Sequence, residues 1–175
     1  MSPDTALLLI DPQMTMFDPA DPVASAEVML QRLTHLLARA RSAHMPVVFI
    51  RHCGKAAGPF ERGTPGWQLH PSFQPSEGDL VFEKTTRDTF ASTALGDELA
   101  ARGIKRIIIA GFQSEFCVRE TTLGALARGF DVTLVSNGHS TCDSGDRTAA
   151  EISTAVNVEL EDRVRLKSAE EVSLS

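Results

Sequence analysis

Short, mostly apolar runs recur along this chain, and stretches of a different period separate them. The runs are ALLLI at 6–10, PVVFI at 46–50, LVF at 80–82, IIIA at 107–110, FDVTLV at 130–135 and VRL at 164–166. A strand that is apolar at every position must be covered on both faces, because alternate side chains point to opposite sides of a sheet. The intervening stretches are helical. Val23 to His44 is a long amphipathic segment with apolar residues at Val28, Leu30, Leu33, Leu36 and Leu37, and it ends at Pro46. Ser92 to Arg102 stops at Gly103, and 117–128, with Val118, Leu123, Leu126 and Ala127, stops at Gly129. Residues 145–159 form a weaker helix and Ser168 to Val172 a closing helical turn. Strands alternating with helices predict an α/β fold with a mostly parallel sheet. No repeat or linker divides the chain, so residues 1–175 are expected to form a single domain. Residues 52–78, rich in Gly and Pro, read as an irregular loop of a length that is often functional.

Composition removes several classes of function. Seventeen Lys and Arg face 23 Asp and Glu, and no basic cluster stands out, so nucleic acid is not an expected partner. No apolar stretch approaches the roughly 20 residues that span a bilayer, so no membrane partner is expected. Nothing at the start resembles a secretory leader. Cys53, Cys117 and Cys142 are odd in number and contain no Cys-x-x-Cys pair. Neither a disulfide framework nor a structural zinc site is expected, and the reducing cytoplasm is the expected location. A nucleotide-binding sheet would carry a Gly-rich turn after its first strand, where this chain has LLLIDPQM.

In parallel sheets ligands sit beyond the carboxyl ends of the strands. That rule gathers Asp11, Arg51, His52, Lys84 and Cys117 around one crevice. Asp11 is either a turn residue beside Pro12 or a half-buried base. Lys84 is either a solvated surface cation or the partner of that base. Cys117 is either a small buried hydrophobe or a nucleophile. At a helix N-terminus the free N–H groups and the dipole favour its thiolate. Together the three supply base, cation and nucleophile.

Three stretches then resemble the isochorismatase-like cysteine hydrolases: LLLIDPQ at 7–13, FEKTTRDTFASTAL at 82–95 and IIIAGFQSEFCVRETTLGALARGFDVTLVSNGHST at 107–141. GTPGWQLHP at 63–71 also resembles the family's loop before the third strand. The resemblance implies a three-layer αβα sandwich, Rossmann-like, with a six-stranded sheet, and a catalytic triad of Asp11, Lys84 and Cys117. It implies a non-proline cis peptide before the cysteine, expected between Gln113 and Ser114. The N–H groups of Ser114 and Cys117 would then form an oxyanion hole. The implied reaction is hydrolysis of a small-molecule amide through a thioester, with no cofactor. Relatives are commonly dimers or tetramers, so a homodimer or homotetramer is expected.

The branch is narrowed by what is missing. Some family members hold a metal through an Asp and two His after the second strand. RHCGKAAGPFERG offers only His52, and the next histidine is His70, so no metal site is expected and nicotinamidase is disfavoured. His52 is expected to pack, and His70 to pack or to touch substrate. Isochorismatases proper cleave a vinyl ether without a cysteine nucleophile, whereas Cys117 points to the amidase branch. The nearest subgroup includes streptothricin hydrolase-like amidases, which often carry a His-His-Asn run. Ala155-Val156-Asn157 keeps only the Asn, so that subgroup's substrate is not carried over. Gln13, Phe17, Trp67, Arg87, Gln113 and Glu115 are candidate substrate-binding residues, and Trp67 serves equally as a plug for its loop. Arg87 and Glu115 are alternatively partners of each other or of a second subunit. Arg119 and Glu120 read as ordinary first-turn helix residues. His139 resembles a family position near the active-site mouth. The alternatives are a vinyl-ether hydrolase that does not need Cys117 and a non-catalytic binding protein on the same scaffold.

Overall fold

The six apolar runs assemble side by side. A computed structural model describes residues 4–174. Its strands are β1 (Thr5–Ile10), β2 (Val47–His52), β3 (Leu80–Lys84), β4 (Arg106–Phe112), β5 (Asp131–Ser140) and β6 (Arg165–Lys167). They form one parallel sheet in the order β3-β2-β1-β4-β5-β6. Its helices are α1 (Ala26–Ser42), α2 (Leu95–Ala101), α3 (Arg119–Ala127) and α4 (Ala149–Leu160).

Alternation along the strands builds two cores. Leu7, Leu9, Val47 and Phe49 face α1, meeting Met29, Leu33, Leu36 and Leu37. Ala6, Leu8, Ile10, Val48 and Ile50 face the other side, among Leu95 and Leu99 of α2, Ala125 of α3, and Val156 and Leu160 of α4. The sheet is thus the middle of three layers, as the doubly covered strands require. Among the described residues no helix is long and apolar enough to cross a membrane.

The strands run further than their apolar cores. β2 and β3 each extend two residues, through Arg51-His52 and Glu83-Lys84, and these polar ends pair in register, His52 with Lys84. β4 continues through Gly111 and Phe112, and β5 through Ser136–Ser140, past a register shift between Ile109 and Gly111. Hydrophobic pattern is blind to a polar strand end that is held by ladder hydrogen bonds. α4 starts late, at Ala149, where Thr148 and Glu151 form a reciprocal capping box. α2 likewise starts at Leu95, after a 3-10 turn at Thr89–Ala91.

Strand order reverses direction between β1 and β4, which are neighbours in register Ile10–Gly111. That is the topological switch point of the sheet. Asp11 leaves β1 there and the segment bearing Cys117 leaves β4 there.

Candidate active site

Three charged or reactive side chains and one imidazole meet at the switch point. The Lys84 ammonium, fully buried at the end of β3, lies 2.9 Å from Asp11 Oδ2. It donates to Cys117 Sγ at 3.0 Å and stands 3.0 Å from His52 Nδ1. An ammonium can only donate, so Nδ1 of His52 accepts, and the ring is the neutral Nε2–H tautomer. Each of the three ammonium protons thus has an acceptor. Asp11, with φ 49°, turns off β1 in the left-handed region that Asp tolerates. Apart from the ion pair, its carboxylate oxygens have no hydrogen bond of ordinary geometry among the described residues.

Burial and charge fix where the protons sit. Burial raises the Asp11 carboxyl above its ordinary range, and the Lys84 charge only partly offsets this. Burial also works against the Lys84 ammonium, but Asp11 and Cys117 outweigh it and hold the lysine protonated. Burial, then the Asp11 charge, pushes the Cys117 thiol up to about 12, against the pull of Lys84. One ammonium can balance one buried anion, not two. That charge balance favours a thiol beside Asp11 over the thiolate that a helix N-terminus favours.

The local backbone also differs from the expectation. Cys117 does not open α3. It lies in a five-residue π-helical turn, Ser114–Val118, in which the Val118 N–H reaches the Gln113 carbonyl at 3.2 Å. The non-proline cis peptide is Phe112–Gln113, one bond before the expected Gln113–Ser114, because β4 runs on through Phe112 before the chain breaks away.

The sequence matches the isochorismatase domain over residues 5–159. The chain belongs to the isochorismatase family. Two streptothricin hydrolases from Streptomyces noursei are similar to it. One is 37% identical over 141 residues, covering 81% of this chain and 56% of that protein. The other is 38% identical over 138 residues, covering 79% and 50%. This isochorismatase-family chain thus spans about half the length of those relatives. A crystal structure of an isochorismatase from Pseudomonas putida matches with a TM-score of 0.90 at 26% identity, over 95% of this chain and 89% of that one.

Some isochorismatase-family proteins are expected to carry a metal, and Asp11, His52 and Cys117 do offer ligand atoms within 4.8 Å of one another. The Lys84 ammonium stands among these atoms, at 2.9–3.0 Å from each side chain. Zinc would need about 2.0–2.3 Å to the same ligands and would coincide with the lysine. His70 is not part of the set. It accepts from the Ser72 N–H and packs on Phe17, 4.9 Å between ring centroids. These residues do not fit a resident metal; they form a cage for an ammonium.

The other candidate residues fall into distinct places. Gln13 is a fully buried clamp: its amide donates to the carbonyls of His52 and Trp67 and accepts from the His52 N–H. Phe17 packs edge-on against Phe112. Trp67 is buried, donates to Cys53 Sγ at 3.2 Å and lies under the Arg51 guanidinium, 3.7 Å away. Arg87 is exposed and stacks over Phe116 at 4.3 Å, whereas Glu115 accepts from Thr141, so these two do not pair with each other. Arg119 pairs with Glu120 and Glu159. Gln113, Phe60, Asp18, Asp21 and Cys142 line a cavity of about 350 Å³. Phe60 in turn packs on His52. His52, expected only to pack, is the lysine's third partner. Its pairing with Lys84 across neighbouring strand ends is the signal that could have found it.

This placement predicts a pH dependence. Burial, then the Lys84 charge, lowers the His52 imidazole to about 4. As pH falls from about 6.5 toward 4, the unfolded chain takes up a proton that the folded one refuses, so His52 contributes less stability. Asp11, raised in the fold, works in the opposite sense. The melting-temperature advantage of wild type over His52→Gln is therefore expected to shrink between pH 7.5 and pH 4.5. A difference that stays constant across that range would refute the neutral, lysine-bound imidazole.

Proposed function

We propose that this chain is a cysteine-dependent amidohydrolase that cleaves a small amide C–N bond. The observation that carries the reading is the Lys84 ammonium seated between the Asp11 carboxylate and the Cys117 thiol. Moving the thiol proton to Asp11 leaves one negative charge in the site before and after, next to the same ammonium. Burial therefore does not oppose this transfer as it opposes creation of a second anion.

The steps follow from that exchange. Asp11 takes the thiol proton as Cys117 Sγ bonds to the amide carbonyl carbon. The oxyanion is held by backbone N–H groups of the turn, those of Ser114 and Cys117 among them. The tetrahedral species collapses, the C–N bond breaks, and Asp11 returns the proton to the departing amine. Water, deprotonated by Asp11, then attacks the thioester, and the acid leaves with the thiol restored. Only water is consumed. The cavity of about 350 Å³ lined by Phe60 and Gln113, though not by the triad itself, lies at the small end of ordinary ligand pockets, which favours a small substrate. The similarity to streptothricin hydrolases supports hydrolysis as the reaction class.

The test is amine or ammonia release from a panel of small amides, ureas and lactams, for wild type and Cys117→Ala in parallel, with mass spectrometry on Cys117. Release by wild type only, with an acyl mass on Cys117, is the expected result. Release that persists in Cys117→Ala would overturn the nucleophile and favour vinyl-ether chemistry or another route.

A further inference from the structure

His139 is the buried titratable group that these steps leave unused. It sits on β5, 4% exposed, with Nδ1 2.8 Å from Ser114 Oγ and Nε2 2.9 Å from Asn157 Oδ1. Ser114 is fully buried and also lies 2.9 Å from Ser153 Oγ.

The direction of every bond in this chain can be worked out. The Asn157 amide nitrogen faces the Ser136 carbonyl at 2.9 Å, and a carbonyl can only accept, so Asn157 presents its oxygen to the ring. Nε2 of His139 is therefore the donor. Burial disfavours the imidazolium, so Nδ1 is bare and accepts. Ser114 must then donate its hydroxyl proton to His139, and Ser153 must donate to Ser114. Ser114 is the first residue of the π-helical turn and follows directly on Gln113. Its side chain ties the turn to β5 and α4 at once.

We propose that His139 is a positioning residue: by accepting from Ser114 it holds the turn that aims the Cys117 sulfur and the neighbouring N–H groups at the substrate carbonyl. This rests on the amidohydrolase reading above. Displacement of reacting atoms by about 1 Å costs about 100-fold in rate, so the role should appear in kcat.

Two substitutions separate this role from mere filling of space. His139→Asn places an amide oxygen near the Nδ1 position and keeps an acceptor for Ser114. His139→Gln reaches the Nε2 position instead and keeps the link to Asn157. On a hydrolysed amide, His139→Asn is expected to keep kcat within about threefold. His139→Gln, His139→Leu and Ser114→Ala should each lose tenfold or more, with KM within about twofold. The Ser114→Ala/His139→Gln double variant should be no slower than the worse single one, as for groups that act as a unit. Melting temperatures of all variants are recorded alongside. If His139→Gln matches or exceeds His139→Asn, if the two losses add, or if kcat merely follows melting temperature, the proposal fails. Nitrogen-15 NMR of the wild-type imidazole tests the same bonds without a substrate. An Nδ1–H tautomer overturns the proposal whatever the activity. An Nε2–H tautomer in a protein that hydrolyses no amide would uphold the bonding and sink the amidohydrolase reading instead.

Discussion

Asp11→Asn is expected to lower amide turnover by about a thousandfold while making Cys117 react faster with iodoacetamide at neutral pH. The two effects have one cause. In the proposed mechanism Asp11 is the proton acceptor, and removing a general base costs about 10²–10⁴ in rate. The same carboxylate is also a nearby negative charge that helps push the thiol up to about 12. Without it, Lys84 has a single anionic partner to balance, and the thiolate becomes that partner. A buried cation left unpaired costs several kcal/mol, and this is the drive that ionises the thiol. Amine release checks the first effect, and alkylation followed by mass spectrometry at matched pH checks the second. Slower alkylation in Asp11→Asn would show that Asp11 activates the thiol at rest, contrary to the charge balance argued above.

Gly111→Ala is expected to destabilise the fold by 4 kcal/mol or more, in the range reserved for severe backbone lesions. Gly111 has φ 130°, and a Cβ placed on it would lie 2.1 Å from the Ile10 carbonyl oxygen and 2.6 Å from the Ile10 nitrogen. Both obstacles are backbone of the central strand β1, which is fully buried. Neither can swing away as a side chain would. Gly63→Ala is the control. Gly63 also has a positive φ, 86°, but nothing lies within 4 Å of its added Cβ. It should lose only the backbone preference, about 1 kcal/mol. Thermal melting of both variants separates conformational cost from collision. A Gly111→Ala protein that melts within a few degrees of Gly63→Ala would mean that β1 and β4 can part at no great cost.

Much of the fold was legible because its strands are apolar on both faces. ALLLI and IIIA admit only a doubly covered sheet, and the Gly and Pro stops bounded the helices between them. The strand ends were not legible, because Arg51-His52 and Glu83-Lys84 look like loop residues until their ladder partners are known. Asp11, Lys84 and Cys117 were gathered by the rule for parallel sheets and by their residue types. His52 was gathered with them but read as a packing residue, since nothing local marks it as an acceptor for Lys84. The protonation of Cys117 escaped for a related reason. Helix position argues for a thiolate, but burial and a second anion decide the matter, and both depend on residues far away along the chain. Ser114, His139 and Asn157 lie on three separate elements, so their bonding pattern has no signature in any single segment.

The strand order has a consequence for synthesis. β1 lies between β2 and β4, yet the chain delivers β2 and β3 to one side before β4 reaches the other. Until residues 106–112 have left the ribosome, one backbone edge of the Leu-rich strand β1 has no partner. An open apolar edge is where a foreign strand adds and where aggregation begins. The strand order thus leaves that edge open to aggregation for as long as the ribosome takes to make the second half of the sheet.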